Sequence, residues 1–320
     1  MKNIPIVVIH KGNPEYLALC LRQIRHFNPD SRIILLGDTS NRHFVAEGVE
    51  HFDVDMPELG EEVGVFRELY QHCSSLPFEF ERFCIERWFI LRNLMRQENW
   101  DACLHLDSDV LIFCDVDAET RRFSDYAMTF AHWDERRNLI HTNFINSRVA
   151  LESFCDYVLE AYRSPEKLET LKELYRKGKP KKNGRKDGKP AKKPARYWIS
   201  DMSLMYAWSQ SAGLPFCFLE DFHDEGICFD ARINFVSEFQ TFHLLPGIIR
   251  PYKRIIFRDG VPWGMLKDGT PVVFKSLHHY GYYKCMMPFH AEGKHPKWRI
   301  LARLLKVKVT NTWRKLRKKK

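Results

Sequence analysis

The sequence lacks several features that mark other protein classes. No apolar run approaches the roughly 20 residues that a membrane-spanning helix needs, and residues Met1 to Pro5 show no signal-peptide core or cleavage site. There is no G-x-G-x-x-G or G-x-x-x-x-G-K-S/T motif, so neither dinucleotide nor P-loop phosphate binding is indicated. The nine cysteines form no C-x-x-C pair and lie mostly in apolar stretches, which indicates free buried thiols in a reducing compartment. We therefore expect a cytoplasmic protein.

Positive charge is unevenly distributed along the chain. Residues 176–196 and 294–320 together hold 23 of the 50 Lys and Arg residues but only one of the 41 Asp and Glu residues. The rest of the chain is therefore acidic despite a net charge of +9. We interpret 176–196 as a basic, mobile loop, because its Lys, Gly and Pro cannot form a core. This pattern favours docking on an anionic surface over a basic groove for nucleic acid.

The C-terminal segment has its own pattern. From Trp298 to Trp313, apolar residues follow one helical face and Lys and Arg residues another. Such a helix can lie in a membrane interface with its cations on anionic lipid, or it can pack on the domain with a solvated tail. The absence of acidic residues favours the membrane, and we expect peripheral binding at the inner face.

Two carboxylates interrupt the most apolar stretch of the chain. Asp107-Ser108-Asp109 lies inside the run from Cys103 to Phe113, which predicts a buried strand. Residues i and i+2 of a strand point the same way, so both acids would face one spot, where a cation would offset their repulsion. Oxygen ligands suit Mg²⁺ or Mn²⁺. The alternative is that Asp and Ser form a turn that ends the strand.

The first 40 residues predict a β-α-β unit. An apolar run at 4–9, a helix over Glu15 to Phe27 and a second run at 32–36 indicate a parallel sheet with a right-handed crossover. Asp38 follows the second strand, at the edge of the sheet where ligands of such folds bind. Its carboxylate can contact a ribose or base, or it can serve as a turn residue or helix cap.

Three later segments carry further candidates. A helix over Phe80 to Gln97 contains several arginines, of which one could approach a metal or phosphate. Asp201 precedes an apolar helix and fits either a helix start or a group that faces a sugar. A strand over Pro271 to Leu277 ends in His278 and His279, and Lys284 follows; a neutral imidazole can ligate Mn²⁺, and a lysine can neutralise a diphosphate.

This order of motifs resembles the GT-A glycosyltransferases, and in particular the family-eight, glycogenin and galactosyltransferase-like group. The resemblance covers about residues 4–113 and 197–284. It implies an α/β fold, a GT-A (Rossmann-like) mixed, mostly parallel sheet flanked by helices. We expect one catalytic domain over residues 1–290 and a basic tail over 291–320.

The resemblance also implies roles for the candidate residues. Asp107, Asp109 and His278 would bind Mn²⁺ or Mg²⁺, Asp107 would also touch the ribose, and Lys284 would bind the diphosphate. Gly281 would permit close backbone approach. Asp38 would contact the nucleoside of a nucleoside-diphosphate sugar, UDP-sugar by default.

Asp201 would orient the acceptor or stabilise the sugar, or act as general base if the reaction inverts configuration. The acceptor would be a glycan or a lipid-linked saccharide at the cytoplasmic membrane face, and no nucleic acid is expected. There are three alternative hypotheses. A sugar nucleotidyltransferase is disfavoured by the single glycine after the first strand, and a haloacid-dehalogenase phosphatase would have its D-x-D at the first strand. The third is a membrane- or nucleic-acid-docking protein with an inactive core.

Overall fold

The computed structural model describes residues 4–177 and 196–317. The greater part of the basic segment, residues 178–195, lies outside the described residues, and so does the mobile loop expected there. The helices alternate with the strands along much of the chain. The α-helices are α1 (Glu15–Phe27), α2 (Pro57–Leu69), α3 (Phe78–Gln97), α4 (Val116–Arg122), α5 (Arg148–Arg163), α6 (Pro165–Leu174), α7 (Asp201–Ser209), α8 (Met287–Ala291) and α9 (Lys297–Arg317).

Short 3₁₀ segments occupy Arg42–Glu47, Leu219–Glu225 and Gly281–Met286. The strands are mostly three to five residues long. They are β1 (Ile6–Ile9), β2 (Ile33–Gly37), β3 (Glu50–Asp53), β4 (Cys103–Leu106), β5 (Val110–Ile112), β6 (Met128–Asp134), β7 (Arg137–Leu139), β8 (Thr142–Ile145), β9 (Arg176–Lys177), β10 (Arg196–Tyr197), β11 (Phe216–Phe218), β12 (Ile227–Phe229), β13 (Thr241–Phe242), β14 (Tyr252–Lys253), β15 (Ile256–Arg258), β16 (Val261–Met265) and β17 (Pro271–His278).

The main sheet is mixed and mostly parallel. Its strand order is β11-β6-β8-β4-β1-β2-β3, and β7 pairs with β6 at one side. The pairs β1–β2, β1–β4, β2–β3 and β6–β11 are parallel, whereas β8 runs antiparallel to β4 and β6. Helices cover both faces. The predicted fold class, an α/β protein with a mostly parallel sheet flanked by helices, is therefore confirmed.

Alternate residues of the central strands explain why both faces are covered. Val7 and Ile9 of β1 pack in one core cluster with α2, α3 and α5, whereas Ile6 and Val8 pack in another with α1. All four side chains are buried. A strand that is buried on both faces is apolar throughout, which is why the sequence reads as a continuous run and not as an alternation.

A second, smaller sheet packs beside the first. Its order is β12-β17-β16-β15, and β5 pairs antiparallel with β17. A third core cluster fills the space between this sheet and the C-terminal helices, and Asp230 and Lys253 form a buried ion pair beside it at 2.5 Å. The chain passes from the main sheet to the second sheet directly after β4. The Asp107-Ser108-Asp109 segment is this connection, so the run from Cys103 to Phe113 is two strands and not the single strand that its apolar residues predict.

Helix α9 is attached to the body at its start. Ile300 and Leu304 are fully buried in the core cluster of the second sheet. Trp298, Val309 and Trp313 are exposed by 82%, 56% and 62%, so a second apolar face of the helix meets solvent. Within residues 4–177 and 196–317, no helix is both long enough and apolar enough to cross a membrane.

Candidate active site

A cleft of about 460 Å³ opens at the carboxyl end of the main sheet. Its volume lies in the range of small-ligand sites. Ile9 at the end of β1, Asp107 after β4 and His278 at the end of β17 all line it. The carboxyl ends of parallel strands leave their last backbone groups and the following loops free to bind a ligand. We call Asp107, Asp109, His278 and Lys284 the charged part of the cleft. We call Trp133, Trp198 and Tyr280, with Arg232 among them, its aromatic part.

The backbone of the Asp107–Asp109 turn is fixed from three sides. The Asp107 N–H donates to the carbonyl of His141 at 2.8 Å, and the His279 N–H donates to the carbonyl of Asp109 at 2.9 Å. Ser108 Oγ lies 2.9 Å from His10 Nδ1. The turn therefore holds both carboxylates in place before any ligand binds.

Asp109 lies between two side chains from the C-terminal part of the chain, His278 and Lys284. Lys284 Nζ is 3.0 Å from one carboxylate oxygen, and His278 Nε2 is 3.5 Å from the other. Lys284 also lies 4.1 Å from the centre of the Tyr16 ring. Burial raises the pKa of Asp109, but His278 and Lys284 outweigh it and hold the pKa well below its usual value. Asp109 is therefore an anion at neutral pH.

The orientation of the His278 ring follows from its contacts. Its Nδ1 is 2.7 Å from the carbonyl oxygen of Ala231. A carbonyl can only accept, so Nδ1 carries a proton, and Nε2 is the ring nitrogen that faces Asp109. The His278 N–H donates to Asp230 at 3.0 Å, which fixes the backbone as well. Metal-binding histidines commonly donate their second ring nitrogen in this way.

Asp107 contacts a buried arginine. Arg87 of α3 donates to Asp107 at 2.7 Å and to Asp201 at 2.9 Å. Burial lowers the pKa of Arg87, but the two carboxylates outweigh it and raise the pKa above the usual value, so its charge is permanent. The sequence indicated only that some arginine of this helix could reach the site. Helical periodicity does place Arg87 beside the apolar stripe, but it gives no partner.

Asp201 occupies the first turn of α7. Ser200 caps the helix, and its side chain and that of Ser203 form a capping box. The Asp201 carboxylate accepts from Arg87 and from the Met202 N–H. Burial raises the pKa of Asp201, and the charge of Arg87 partly offsets this. Asp201 is therefore a first-turn residue that also lines the cleft, and its predicted contact with a sugar stays a prediction.

Two of the three predicted metal ligands fit a divalent cation. Asp109 supplies an oxygen and His278 its Nε2 nitrogen, and these two atoms face each other. Asp107 is bound by Arg87 instead. In the part of the chain that the structure describes, no three His, Cys, Asp or Glu side chains converge closely enough to hold a metal. The three-ligand set implied by the resemblance thus stays a prediction.

Gly281 and Asp38 have separate structural functions. Gly281 lines the cleft and has a φ of +64°, a left-handed conformation that L side chains rarely adopt. Asp38 accepts from the N–H groups of Gly12, at 2.8 Å, and Ser40, at 2.9 Å, and therefore ties two turns together. Its predicted contact with a nucleoside stays a prediction.

Several lining residues were not among the candidates from the sequence. Glu81 is buried in the cleft wall and accepts from Ser74 at 2.6 Å. Trp133 and Arg232, in the aromatic part of the cleft, are two others. Nothing local marks Arg232, because the two rings on which it stacks, Trp133 and Tyr280, lie 99 and 48 residues away along the chain.

Known proteins were compared with the chain at the levels of sequence and fold. No protein-family model matches it, and no curated protein is similar to it in sequence. Several solved structures are similar in fold. Mouse xyloside xylosyltransferase 1 aligns with a TM-score of 0.45 and 11% identity over 68% of this chain and 85% of its own.

Two further solved structures are also named for glycosyltransferases. The bifunctional glycosyltransferase WbbM aligns with a TM-score of 0.47 and 14% identity over 94% of this chain, which spans about half (51%) of WbbM. The galactosyltransferase LgtC, in complex with donor and acceptor sugar analogues, aligns with a TM-score of 0.37 and 13% identity over 67% of this chain and 73% of its own.

Proposed function

We propose that this protein is a GT-A glycosyltransferase that moves a sugar from a nucleoside-diphosphate sugar to a saccharide acceptor in a metal-dependent reaction. One observation carries the proposal. Asp109, His278 and Lys284 meet in one cleft at the carboxyl end of a mostly parallel sheet. A carboxylate, an imidazole and an ammonium group together are suited to a divalent cation and a diphosphate.

The proposed donor end of the cleft is the charged part. Asp109 and His278 would hold Mn²⁺ or Mg²⁺, with Asp107 as a third ligand, and such a cation supplies Lewis-acid stabilisation for a departing diphosphate. Lys284 is positioned by Asp109 and by the Tyr16 ring, so its charge stays at the place where the diphosphate charge develops. Gly281 lines the same part with backbone that carries no side chain.

The Asp107–Arg87–Asp201 chain is proposed to position the transferred sugar. Arg87 fixes both carboxylates through separate nitrogens, so a ligand bound by one is held at a set distance from the other. Both Asp201 oxygens already accept hydrogen bonds, which supports an orienting function in acceptor or sugar binding. A general-base function would use one of the lone pairs that these hydrogen bonds leave on the carboxylate.

The first experiment tests donor binding. We expect UDP, among a panel of nucleoside diphosphates, to raise the melting temperature only when Mn²⁺ or Mg²⁺ is present, since binding to the folded state stabilises it. Asp109→Asn should weaken this metal-dependent binding about 10-fold or more, because it removes a charged ligand and the partner of Lys284. Asp101→Asn, whose side chain is 88% exposed, is the matched control and should bind like the wild type.

Transfer activity gives the second readout. Sugar release from the nucleotide-sugar that corresponds to the tightest-binding diphosphate should require the metal and should be lost in Asp109→Asn. Metal-dependent binding or release that is unchanged in this variant would contradict the proposal, provided that circular dichroism shows it to be folded.

The membrane face is the proposed location of the acceptor. Its support is the second apolar face of α9, which exposes Trp298 and Trp313 beside Lys and Arg residues. A lipid-linked saccharide would then be presented to a cleft that the helix holds near the bilayer.

A further inference from the structure

The aromatic part of the cleft surrounds a buried arginine. The guanidinium carbon of Arg232 lies 3.6 Å from the centre of the Trp133 ring and 4.0 Å from that of Tyr280, so the cation is stacked on two rings. Trp198 lines the cleft next to them. Arg232 is only 6% exposed and yet contributes to the cleft wall.

Arg232 differs from the other buried cations of the chain in its lack of an anion. Arg87 has Asp107 and Asp201, and Lys253 has Asp230. Among residues 4–177 and 196–317, no carboxylate lies within ion-pair distance of Arg232 and no acceptor satisfies its buried Nε. Burial lowers the pKa of Arg232 to about 10, so the group is still charged at neutral pH.

A buried charge without a counter-ion is unfavourable. Stacking on aromatic rings recovers part of the lost hydration energy but leaves the buried Nε–H without an acceptor. An anion in the cleft would supply that acceptor, and a guanidinium binds carboxylate and phosphate groups with two parallel hydrogen bonds. The side chain is therefore preorganised for an anionic group of a ligand.

We propose that Arg232 binds a carboxylate or phosphate substituent of the saccharide acceptor, whose rings pack on Trp133, Trp198 and Tyr280. This inference rests on the proposed function and adds the acceptor class to it: an anionic sugar. Aromatic rings offer the apolar CH faces of a sugar a flat surface, and Arg232 selects the charged members.

The surroundings of Arg232 favour the acceptor over the donor diphosphate. Lys284, the cation beside Asp109, is packed on Tyr16 of α1. Arg232 is packed on Trp133 of β6 and on Tyr280, whose ring also contacts His278. The cleft thus holds two cations in different surroundings, one next to the proposed metal ligands and one among aromatic rings.

The test measures binding of charged and neutral sugars to the full chain. Glucuronate and glucose 6-phosphate represent the two anionic substituents, and glucose is the neutral comparison, all at equal ionic strength. We expect wild-type protein to bind at least one charged sugar more tightly than glucose. Arg232→Met keeps an apolar side chain between the rings and should lower the charged-sugar affinity about 10-fold.

The control variant tests whether any stacked arginine has this effect. Arg258 lies 5.1 Å from the centre of the Trp263 ring but is exposed and outside the cleft. Arg258→Met should bind both charged sugars like the wild type. If Arg232→Met fails to fold, Arg232→Gln replaces it, and the preference of the wild type for charged over neutral sugar is itself a test.

Three results would overturn the inference: equal wild-type affinity for charged and neutral sugars, unchanged affinity in the folded Arg232 variant, or equal losses for charged sugar and for UDP with Mn²⁺. The last result would assign Arg232 to the donor diphosphate. Failure of the proposed function is separate, because it would appear as a wild-type protein that does not bind nucleoside diphosphate at all.

Discussion

Individual buried charges organise the cleft at the scale of single residues. Arg87 compensates two carboxylates, Lys284 compensates Asp109, and Arg232 has no anionic partner among the described residues. Because burial makes an unpaired charge expensive, each of these groups is sensitive to what binds beside it. The same holds for a buried acid in the cleft wall, Glu81.

Glu81 should make stability depend on pH. Burial, and secondarily the charge of Asp201, raises the pKa of Glu81 from 4.5 to about 7. A carboxyl whose pKa is raised on folding stabilises the protein below pH 4.5, and that contribution is lost as the pH rises through about 7. Glu81→Gln should therefore become more stable than the wild type as the pH rises, by up to about 3 kcal/mol.

Urea unfolding at a series of pH values from 4.5 to about 7 measures the difference in free energy of unfolding between Glu81→Gln and the wild type. Glu79→Gln, an exposed neighbour in the same first turn of α3, is the control and should follow the wild type. A constant difference between Glu81→Gln and the wild type would show that folding does not shift the pKa of Glu81.

At the scale of an element, the N-terminus of α7 links the stability of a helix to the position of a cleft residue. Ser200 caps the helix and thereby sets the position of Asp201, the first helical residue. A single hydroxyl thus connects helix stability to the geometry of the cleft.

Ser200→Ala should cost about 1 kcal/mol of stability, since it removes the N-cap acceptor, and should also weaken ligand binding in the cleft. Ser147 caps α5, whose start lies outside the cleft. Ser147→Ala should therefore lose similar stability and keep wild-type binding. Chemical denaturation and nucleotide titration of both variants separate the two effects, and equal binding by both variants would argue against a positioning function for Ser200.

The distribution of charge matters at the scale of the whole molecule. The segment 294–320 has 12 Lys and Arg residues and no acid, whereas the residues outside the two basic segments have an excess of acid. Helix α9 combines this charge with exposed Trp298 and Trp313. The first half of the helix is held on the body, so its orientation relative to the cleft is fixed.

We expect the protein to bind vesicles that contain phosphatidylglycerol and not vesicles of phosphatidylcholine alone, and to release them as salt is raised. Changing both Trp298 and Trp313 to Ser should reduce sedimentation with anionic vesicles about 10-fold. Ile256→Ser, an exposed apolar residue of β15, is the control and should have no effect. Equal binding to both vesicle types would contradict an electrostatic membrane contact.

Local pattern in the sequence was enough to define the main elements and part of the site. The helix over Glu15 to Phe27 has the predicted bounds, and the strands around it form the predicted parallel start, because period and turn residues are local properties. Asp109, His278 and Lys284 were candidates from the sequence, because each follows an apolar strand or lies close to one. The structure brings these three residues together in the cleft.

The tertiary structure decided the partners of these groups. The apolar run around Asp107 is divided between two sheets, Arg87 joins Asp107 to Asp201, and Arg232 lies between Trp133 and Tyr280. The side-chain contacts among these join residues 20 to 114 positions apart. No periodicity encodes them, since they result from how sheets and helices pack, and it is the packing that determines which buried charge is paired and which is left for a ligand.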